Sequence, residues 1–345
     1  MAGTGTAHLK PEAEALLRVE DLVVEFPVGR TGLKVHAVSG ISFDVLPGET
    51  LGLVGESGCG KSTTGRAILQ LPRPTSGSIR FADQELTTLR GDQMRTVRTN
   101  IQMIFQDPIS SLNPRRKVRE IVLEPLTIWK IGTSEERLAK VRQVLEDVGL
   151  DPDVAADRRP HQFSGGQCQR ISIARALVLE PKLIICDEPV SALDVSVQAQ
   201  VLNLLEELKR RYGLTLVFIA HDLAVVKNIS DRVGVMYLGK LCELGPADTL
   251  YARPAHPYTE ILLRSIPVPD PSVRSAVADR IEGEVPSPVF PPSGCRFRTR
   301  CPRAQDRCAV EEPVVRPIDG GQFVACHYPL VGGEAPATTA VATPI

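Results

Sequence analysis

The residues of this chain with the clearest chemistry form a glycine-rich loop that ends in a lysine and two hydroxyl side chains. They read GESGCGKST over residues 55–63. Glycine lets a backbone approach an anion closely, and the first N–H groups of a helix attract phosphate oxygens. In this pattern Lys61 reaches the β- and γ-phosphates, and the Ser62 hydroxyl ligates Mg²⁺. The spacing predicts a nucleotide site formed by Gly55, Glu56, Ser57, Gly58, Cys59, Gly60, Lys61, Ser62 and Thr63.

Two acidic residues and a histidine stand where predicted strands end. The apolar run from Leu183 finishes in Asp187 and Glu188, and the run 214–220 is followed by His221. The carboxyl ends of parallel strands meet along one edge of a sheet, where ligands bind. Asp187 is placed to hold the Mg²⁺ shell, and Glu188 to polarise an attacking water. A lone histidine is usually structural, but the position of His221 favours a functional role.

Three further features are less specific. The SGGQ stretch at 164–167 precedes a helical pattern and offers a second set of N–H donors to phosphate, although the short motif is weak on its own. Phe26 either stacks on adenine or is an ordinary core residue. The Cys59 thiol either has a depressed pKa, because a helix begins beside it, or only fills space.

Hydrophobic patterning places these residues on alternating strands and helices, so we expect an α/β protein. Strands are predicted at 17–26, 38–45, 50–54, 78–81, 101–105, 183–187 and 214–220, with a hairpin at 232–244. Helices are predicted at 62–71, 169–180, 197–211 and, with proline breaks, 248–265. A capping box at Thr133 and Glu136 begins a further helix. Its apolar stripe is expected to be core: Leu138, Val141, Leu145 and Val148.

Composition excludes several classes of protein. The chain has 345 residues, with 40 Lys and Arg against 41 Asp and Glu, so a net charge of −1 gives no basic field for nucleic acid. No apolar run is long enough to cross a membrane, and the first residues lack the apolar stretch of a signal peptide. We therefore expect a cytosolic chain whose 8 cysteines are reduced thiols or metal ligands.

The same patterns divide the chain into units. Residues 1–15 are expected to be a disordered leader, and residues 16–265 the nucleotide-binding domain. Prolines recur and periodicity is lost over 266–292, which predicts a linker. A small cysteine-bearing domain is expected at 293–330, followed by a disordered tail at 331–345.

These pieces, in this order, resemble the ATP-binding cassette (ABC) family. The loop at 55–63 matches its Walker A motif, and the LIICDE stretch at 183–188 matches its Walker B motif. The other matching residues are the Q-loop glutamine Gln106, the signature residues Ser164, Gly165, Gly166 and Gln167, the D-loop residue Asp194 and the switch histidine His221. The resemblance implies a P-loop NTPase cassette with a mixed RecA-like sheet, an antiparallel β subdomain and an α-helical signature subdomain at about 107–180.

Roles for individual residues follow from this resemblance. Glu188 and His221 would be catalytic, Phe26 would stack on adenine, and the signature loop would act on the ATP of a partner cassette. The implied ligands of Mg²⁺ are Ser62, Gln106 and Asp187. One departure is Cys168 directly after the signature, where a basic or polar residue is commoner.

The resemblance can be narrowed to the ATPases of dipeptide and oligopeptide importers, and in particular to the second ATPase subunit of a dipeptide importer. The stretches that carry it are IFQDPISSLNPR at 104–115, EPVSALDVSVQAQVLNLL at 188–205, HPYTEILL at 256–263 and GEVPSP at 283–288. It implies a peripheral subunit at the cytoplasmic face of the membrane. Its partners would be two permeases, a second ATPase and an extracytoplasmic peptide-binding protein. An importer of nickel or another solute, a non-hydrolysing regulatory subunit and a non-transport ABC ATPase are the alternatives.

Four cysteines, Cys295, Cys301, Cys308 and Cys326, fall within 32 residues near the C-terminus. A segment of this size usually needs a staple, and four thiolates on one metal centre suit a reducing compartment better than disulfides. Zinc, an iron–sulfur cluster and unmetallated thiols are all open on spacing. The resemblance to dipeptide importer ATPases favours a [4Fe–4S] cluster over zinc.

Overall fold

A computed structural model describes residues 5–265 and 283–331. Its strands form a 4-stranded antiparallel sheet, ordered β2-β1-β4-β5, and an 8-stranded sheet, ordered β11-β12-β10-β9-β3-β8-β7-β6. The strands are β1 Leu17–Pro27, β2 Lys34–Val45, β3 Thr50–Val54, β4 Ser76–Phe81, β5 Gln84–Glu85, β6 Ile101–Ile104, β7 Leu183–Asp187, β8 Thr215–Ile219, β9 Arg232–Tyr237, β10 Lys240–Pro246, β11 Arg316–Pro317 and β12 Phe323–Val324.

The centre of the larger sheet is parallel and covered on both faces. Strand β3 pairs in parallel with β8 and β9, and β7 pairs in parallel with β6 and β8. Neighbouring residues on one strand belong to different cores: Ile185 packs with the antiparallel sheet, whereas Ile184 packs with the helical side. Burial on both faces explains why these strands are unbroken apolar runs in the sequence. The sheet therefore holds its carboxyl-end residues rigidly.

Helices cover these sheets, and the chain segment that connects β6 to β7 forms a separate group of helices. The helices are α1 Lys61–Ile68, α2 Gly91–Asn100, α3 Pro108–Ser111, α4 Val118–Ile128, α5 Ser134–Asp147, α6 Pro152–Ala155, α7 Gly165–Leu177, α8 Val195–Tyr212, α9 Leu223–Ile229, α10 Ala247–Ala252, α11 Pro257–Arg264 and α12 Asp306–Val310. The capping box predicted for α5 is present, because Thr133 and Glu136 cap each other's N–H groups. Three of the four stripe residues are buried, but Leu138 is 53% exposed, so its assignment to the core was wrong.

The N-terminal residues differ from the predicted disordered leader. Most of residues 5–15 are exposed, but His8 is buried, with its Nε2 2.6 Å from the carbonyl oxygen of Ser42 in the antiparallel sheet. The backbone N–H of Lys10 donates to the Asp44 carboxylate. A polar, apolar-poor segment is therefore held by hydrogen bonds to buried acceptors, which composition alone does not reveal. Residues 1–4 lie outside the described part of the chain.

The C-terminal cysteine segment is joined to the larger sheet. Strand β12 pairs with β10, and the buried ring of Phe297 packs between Tyr237 and Tyr258 at centroid distances of 5.1 and 5.2 Å. The segment thus shares the core of the nucleotide-binding domain. It therefore depends less on a metal or on disulfides for its stability than its short length suggested. The predicted linker lies outside the described residues over 266–282, as does the tail over 332–345.

Candidate nucleotide site

The phosphate-binding loop joins β3 to α1 and is shaped by its glycines. Gly55 and Gly60 have φ of 151° and 104°, and a Cβ on them would lie only 2.1 and 2.2 Å from the carbonyl oxygens of Met236 and Ala37. Lys61 is buried, and its Nζ donates to the carbonyl oxygens of Gly55, at 2.7 Å, and Glu56, at 3.0 Å. The loop therefore wraps one ammonium group at a helix N-terminus, an arrangement that attracts phosphate.

A hydroxyl and a carboxylate meet beside this loop. The Ser62 hydroxyl donates to Oδ1 of Asp187 at 2.6 Å, and Asp187 is fully buried at the end of β7. Arg66 lies one helical turn beyond Ser62, and its Nη2 is 3.3 Å from Oδ2 of Asp187. Oxygen donors of these two types suit Mg²⁺, which binds nucleotide phosphates through one or two protein ligands. The residues thus fit the predicted metal role of Ser62 and Asp187.

Gln106 and His221 both contact the carboxylate of Glu188, and each of these three predicted residues follows the end of a strand. Gln106 Nε2 donates to Oε2 of Glu188 at 2.9 Å, and His221 Nδ1 lies 3.3 Å from the same oxygen. Glu188 has a positive φ of 47°, which turns the chain sharply after β7. The side chain of Glu188 is 13% exposed, so its carboxylate lies at the surface of the site rather than within the core. The geometry suits a group that orients water.

The signature residues lie at the N-terminus of α7. Ser164 is its N-cap, and the Ser164 and Gln167 side chains cap each other's backbone N–H groups at 3.3 and 3.0 Å. Gly166 lies against α8, because a Cβ there would meet Cγ1 of Val197 at 2.4 Å. Asp194 caps α8 by accepting from the Val197 N–H at 3.0 Å. The signature and the D-loop are therefore packed together through the starts of two helices.

The two remaining predicted contacts have different outcomes. Phe26 is at the end of β1 and is 38% exposed, so its ring is free to contact a ligand. Cys59 is 4% exposed, and burial raises the pKa of its thiol despite the nearby Lys61 ammonium. The interpretation of Cys59 as an activated thiol was wrong, because the cost of desolvating a thiolate exceeds the attraction of the cation. The space-filling interpretation agrees with the structure.

Comparisons with known proteins identify the family of this fold and site. A sequence model described as ABC transporter matches residues 38–191, and a second, described as oligopeptide/dipeptide transporter, C-terminal region, matches residues 242–308. The oligopeptide transport ATP-binding protein OppF of Escherichia coli (strain K12) is 53% identical over 312 residues, which cover 88% of this chain and 93% of OppF. The chain belongs to the ABC transporter family. It is an ABC ATPase whose cofactors are ATP and Mg²⁺.

Other relatives extend this finding. The oligopeptide transport ATP-binding protein AppF of Bacillus subtilis is 53% identical to this chain, and the match covers 91% of this chain and 97% of AppF. A solved dimeric structure of the ATP-binding cassette MJ0796, with bound ADP and Pi, resembles this chain with a TM-score of 0.61 and 28% sequence identity. The match covers 67% of this chain and 98% of the MJ0796 chain. The predicted cassette fold is thereby confirmed. Within the described residues, no helix combines the length and apolarity that a membrane span requires.

The four C-terminal cysteines of this ABC ATPase lie near one another, but they are not arranged as the ligands of a metal ion. Cys295, Cys301, Cys308 and Cys326 line one small cavity. Burial raises the pKa of Cys295 to about 11 and that of Cys326 to about 12. In the parts of the chain that the structure describes, no three His, Cys, Asp or Glu side chains are placed to hold a metal ion. The thiols therefore share a cavity, but their present spacing does not fit a metal centre.

Two residues at the site of the ABC ATPase were missed by the sequence reasoning. Arg66 pairs with Asp187, and its position four residues after Ser62 on one helix offered a signal, since such residues share a face. Arg300 pairs with Glu56 of the phosphate loop from 244 positions away, with Nη1 2.6 Å and Nη2 3.0 Å from the two carboxylate oxygens. No local sequence pattern predicts a contact between two residues that lie so far apart in the sequence.

Proposed function

We propose that this ABC ATPase energises the import of oligopeptides or dipeptides across a cell membrane. The observation that carries the proposal is the convergence of Gln106 and His221 on Glu188 beside an intact phosphate loop, in a chain that is 53% identical to OppF. That convergence supports hydrolysis rather than mere nucleotide binding. The printed names of OppF and AppF, together with the matching C-terminal region, support peptides as the solute.

The family resemblance and the positions of the side chains support the following roles. Lys61 and the loop N–H groups would hold the β- and γ-phosphates. Ser62 and Asp187, whose oxygens meet beside the loop, would hold Mg²⁺, which when bound neutralises phosphate charge, and the family resemblance adds Gln106 as a third ligand. Glu188 accepts a proton from the attacking water, and His221, in contact with the same carboxylate, helps to fix its orientation. Phe26 would stack on adenine with its exposed ring.

The proposed assembly pairs this cassette with a second ATPase. The signature residues Ser164–Gln167 would cover the ATP of the partner, and Asp194 would lie at the junction between the two cassettes. The N-terminus of α7 supports this role because Ser164 and Gln167 are exposed there, and the first N–H groups of a helix attract phosphate. Two membrane permeases and an extracytoplasmic peptide-binding protein would complete the importer, and this chain would lie peripherally at the cytoplasmic face.

Reconstitution tests the solute and the assembly together. The tagged chain is purified from membranes with its associated subunits, and the complex is placed in liposomes with Mg-ATP on the side of the cassettes. We expect ATP-dependent uptake of a labelled tripeptide, and no uptake when this chain carries Lys61→Ala. Uptake of nickel or another small solute in place of the peptide would contradict peptide import while leaving the ATPase assignment intact. Isolation of the chain without any membrane subunit would contradict the proposed assembly.

A metal centre at the four cysteines is a narrower part of this proposal. It rests on the family resemblance and on the shared cavity, and metal binding would have to draw the thiols closer together. Anaerobic purification should give brown protein with absorption near roughly 400 nm and about four irons per chain. Zinc without iron would contradict the cluster, and protein with neither metal would leave unmetallated thiols as the answer.

A further inference from the structure

Arg300 links the C-terminal cysteine segment to the phosphate-binding loop. Its guanidinium forms two parallel hydrogen bonds to Glu56, with Nη1 2.6 Å and Nη2 3.0 Å from the carboxylate oxygens. The side chain of Arg300 is only 6% exposed and that of Glu56 is 23% exposed. A bidentate pair shielded from water in this way is stronger and more directional than a surface salt bridge.

The rest of Glu56 is held just as firmly. Its backbone N–H donates to the Tyr258 hydroxyl at 2.9 Å, and its carbonyl oxygen accepts from Lys61 at 3.0 Å. Arg300 also lies over the ring of Tyr237, with its Cζ 5.8 Å from the centroid, and Tyr237 packs edge-on against Tyr258. Glu56, the residue after Gly55, is thus fixed by contacts from inside and outside the motif, and the ion pair to its carboxylate comes from the cysteine segment.

The charge of Glu56 gives this contact a functional consequence. Glu56 is part of a loop that must receive a polyanion, and an unpaired carboxylate there repels phosphate. Arg300 cancels that charge from the side of the loop turned toward the C-terminal segment. We propose that Arg300 is a positioning residue of the ATP site: it neutralises Glu56 and fixes the phosphate loop, so that the C-terminal segment sets the affinity for ATP.

The proposal concerns nucleotide affinity and is independent of the solute that is transported. Full-length variants are compared by titration with Mg-ATP. Arg300→Gln should weaken ATP binding by about 10-fold, because it leaves a partly buried carboxylate unpaired. Glu56→Gln/Arg300→Gln should recover most of that loss and bind within about 3-fold of wild type, because the unpaired charge is gone. A double variant as weak as Arg300→Gln alone would overturn the electrostatic role.

The chain offers a matched control. Arg307 makes a bidentate pair with Glu311 at 2.7 and 3.0 Å within the same segment, but these side chains are 53% and 51% exposed. Arg307→Gln should leave ATP affinity within about 2-fold of wild type. Equal weakening by Arg307→Gln and Arg300→Gln would overturn the proposal, since it would show a general effect of disturbing the segment.

Hydrogen exchange gives a readout that a purely structural residue would not change. Mg-ATP should slow amide exchange in residues 296–302 of the wild type, because coupling between two sites is reciprocal, and should not do so in Arg300→Gln. If Arg300→Gln does not fold, Arg300→Lys replaces it: lysine keeps the charge but loses one of the two parallel bonds, so ATP should bind about 3-fold more weakly. Wild-type affinity and wild-type exchange in that variant would overturn the proposal.

Discussion

Gly166→Ala tests the packing of the signature helix against α8. The added Cβ would lie 2.4 Å from Cγ1 of Val197, which is about 1 Å closer than two carbon atoms approach at their optimal separation. Val197 cannot simply turn away, because a β-branched side chain in a helix keeps one strongly preferred χ1 rotamer. The start of α7 must therefore move away from α8 by about 1 Å to accept the methyl group.

Stability and activity should respond very differently to this shift. Alanine favours a helix over glycine by about 1 kcal/mol, whereas overpacking costs about 1–3 kcal/mol, so the net loss of folding stability is at most about 2 kcal/mol. A 1 Å misplacement of a substrate-positioning group can lower a rate by about 100-fold. In the assembled complex, Gly166→Ala should therefore lower ATP hydrolysis at the partner's nucleotide site, which the signature loop is proposed to cover, by about 100-fold, while the melting temperature changes by only a few degrees.

The second substitution in this test removes the obstructing atom. Val197→Ala deletes Cγ1, so Gly166→Ala/Val197→Ala should recover turnover to within about 5-fold of Val197→Ala alone. ATPase rates are measured on purified complexes in which this chain also carries Glu188→Gln, so that only the partner's site turns over, with binding of Mg-ATP to this chain as a check on folding. Normal turnover in Gly166→Ala, or a double variant no more active than Gly166→Ala, would refute the packing argument.

Three other predictions concern metal, pH and thiol chemistry. Ser62→Ala should raise the Mg²⁺ concentration for half-maximal ATPase activity by about 10-fold, because the hydroxyl beside Asp187 is lost; an unchanged Mg²⁺ requirement would contradict its role. Burial lowers the pKa of His8 below 6.5, so the stability that neutral His8 contributes is complete above that pH and is lost as the pH falls below it. His8→Gln should accordingly lose less thermal stability than wild type between about pH 7 and pH 5, and identical losses would count against this. Iodoacetamide should label Cys59 far more slowly in the native protein than after unfolding, as followed by mass spectrometry, and equally rapid labelling of Cys59 in the native protein would contradict its burial.

Local patterns predicted the central elements of the site well. The strand at Thr50–Val54 was predicted with its observed bounds, because a strand buried on both faces is an uninterrupted apolar run. Two motifs predicted Ser62 and Asp187 as ligands of one Mg²⁺, and in the structure the two side chains are in contact. The contact of Gln106 with Glu188 spans 82 positions, and only the family resemblance suggested that the two residues act together.

Other features depend on quantities that a sequence does not contain. Cys59 carried two opposite signals, a helix N-terminus and burial, and only the structure shows that burial prevails. Leu138 has the spacing of a core residue, yet its side chain is exposed, because spacing alone does not show which part of a helix face a neighbour covers. The pairing of Arg300 with Glu56 joins distant segments through a tertiary contact. The buried position of His8 likewise depends on a hydrogen bond to a carbonyl group 34 positions away.

The most direct test of ATP hydrolysis through Glu188 is a single-turnover measurement on the assembled complex, with the partner ATPase inactivated at its own site. Glu188→Gln keeps the size and the hydrogen-bonding shape of the side chain but removes the charge that Gln106 and His221 contact. We expect Mg-ATP to bind with wild-type affinity and hydrolysis to slow by about 10²–10⁴-fold. Hydrolysis at the wild-type rate would contradict the assignment of Glu188 as the residue that activates water.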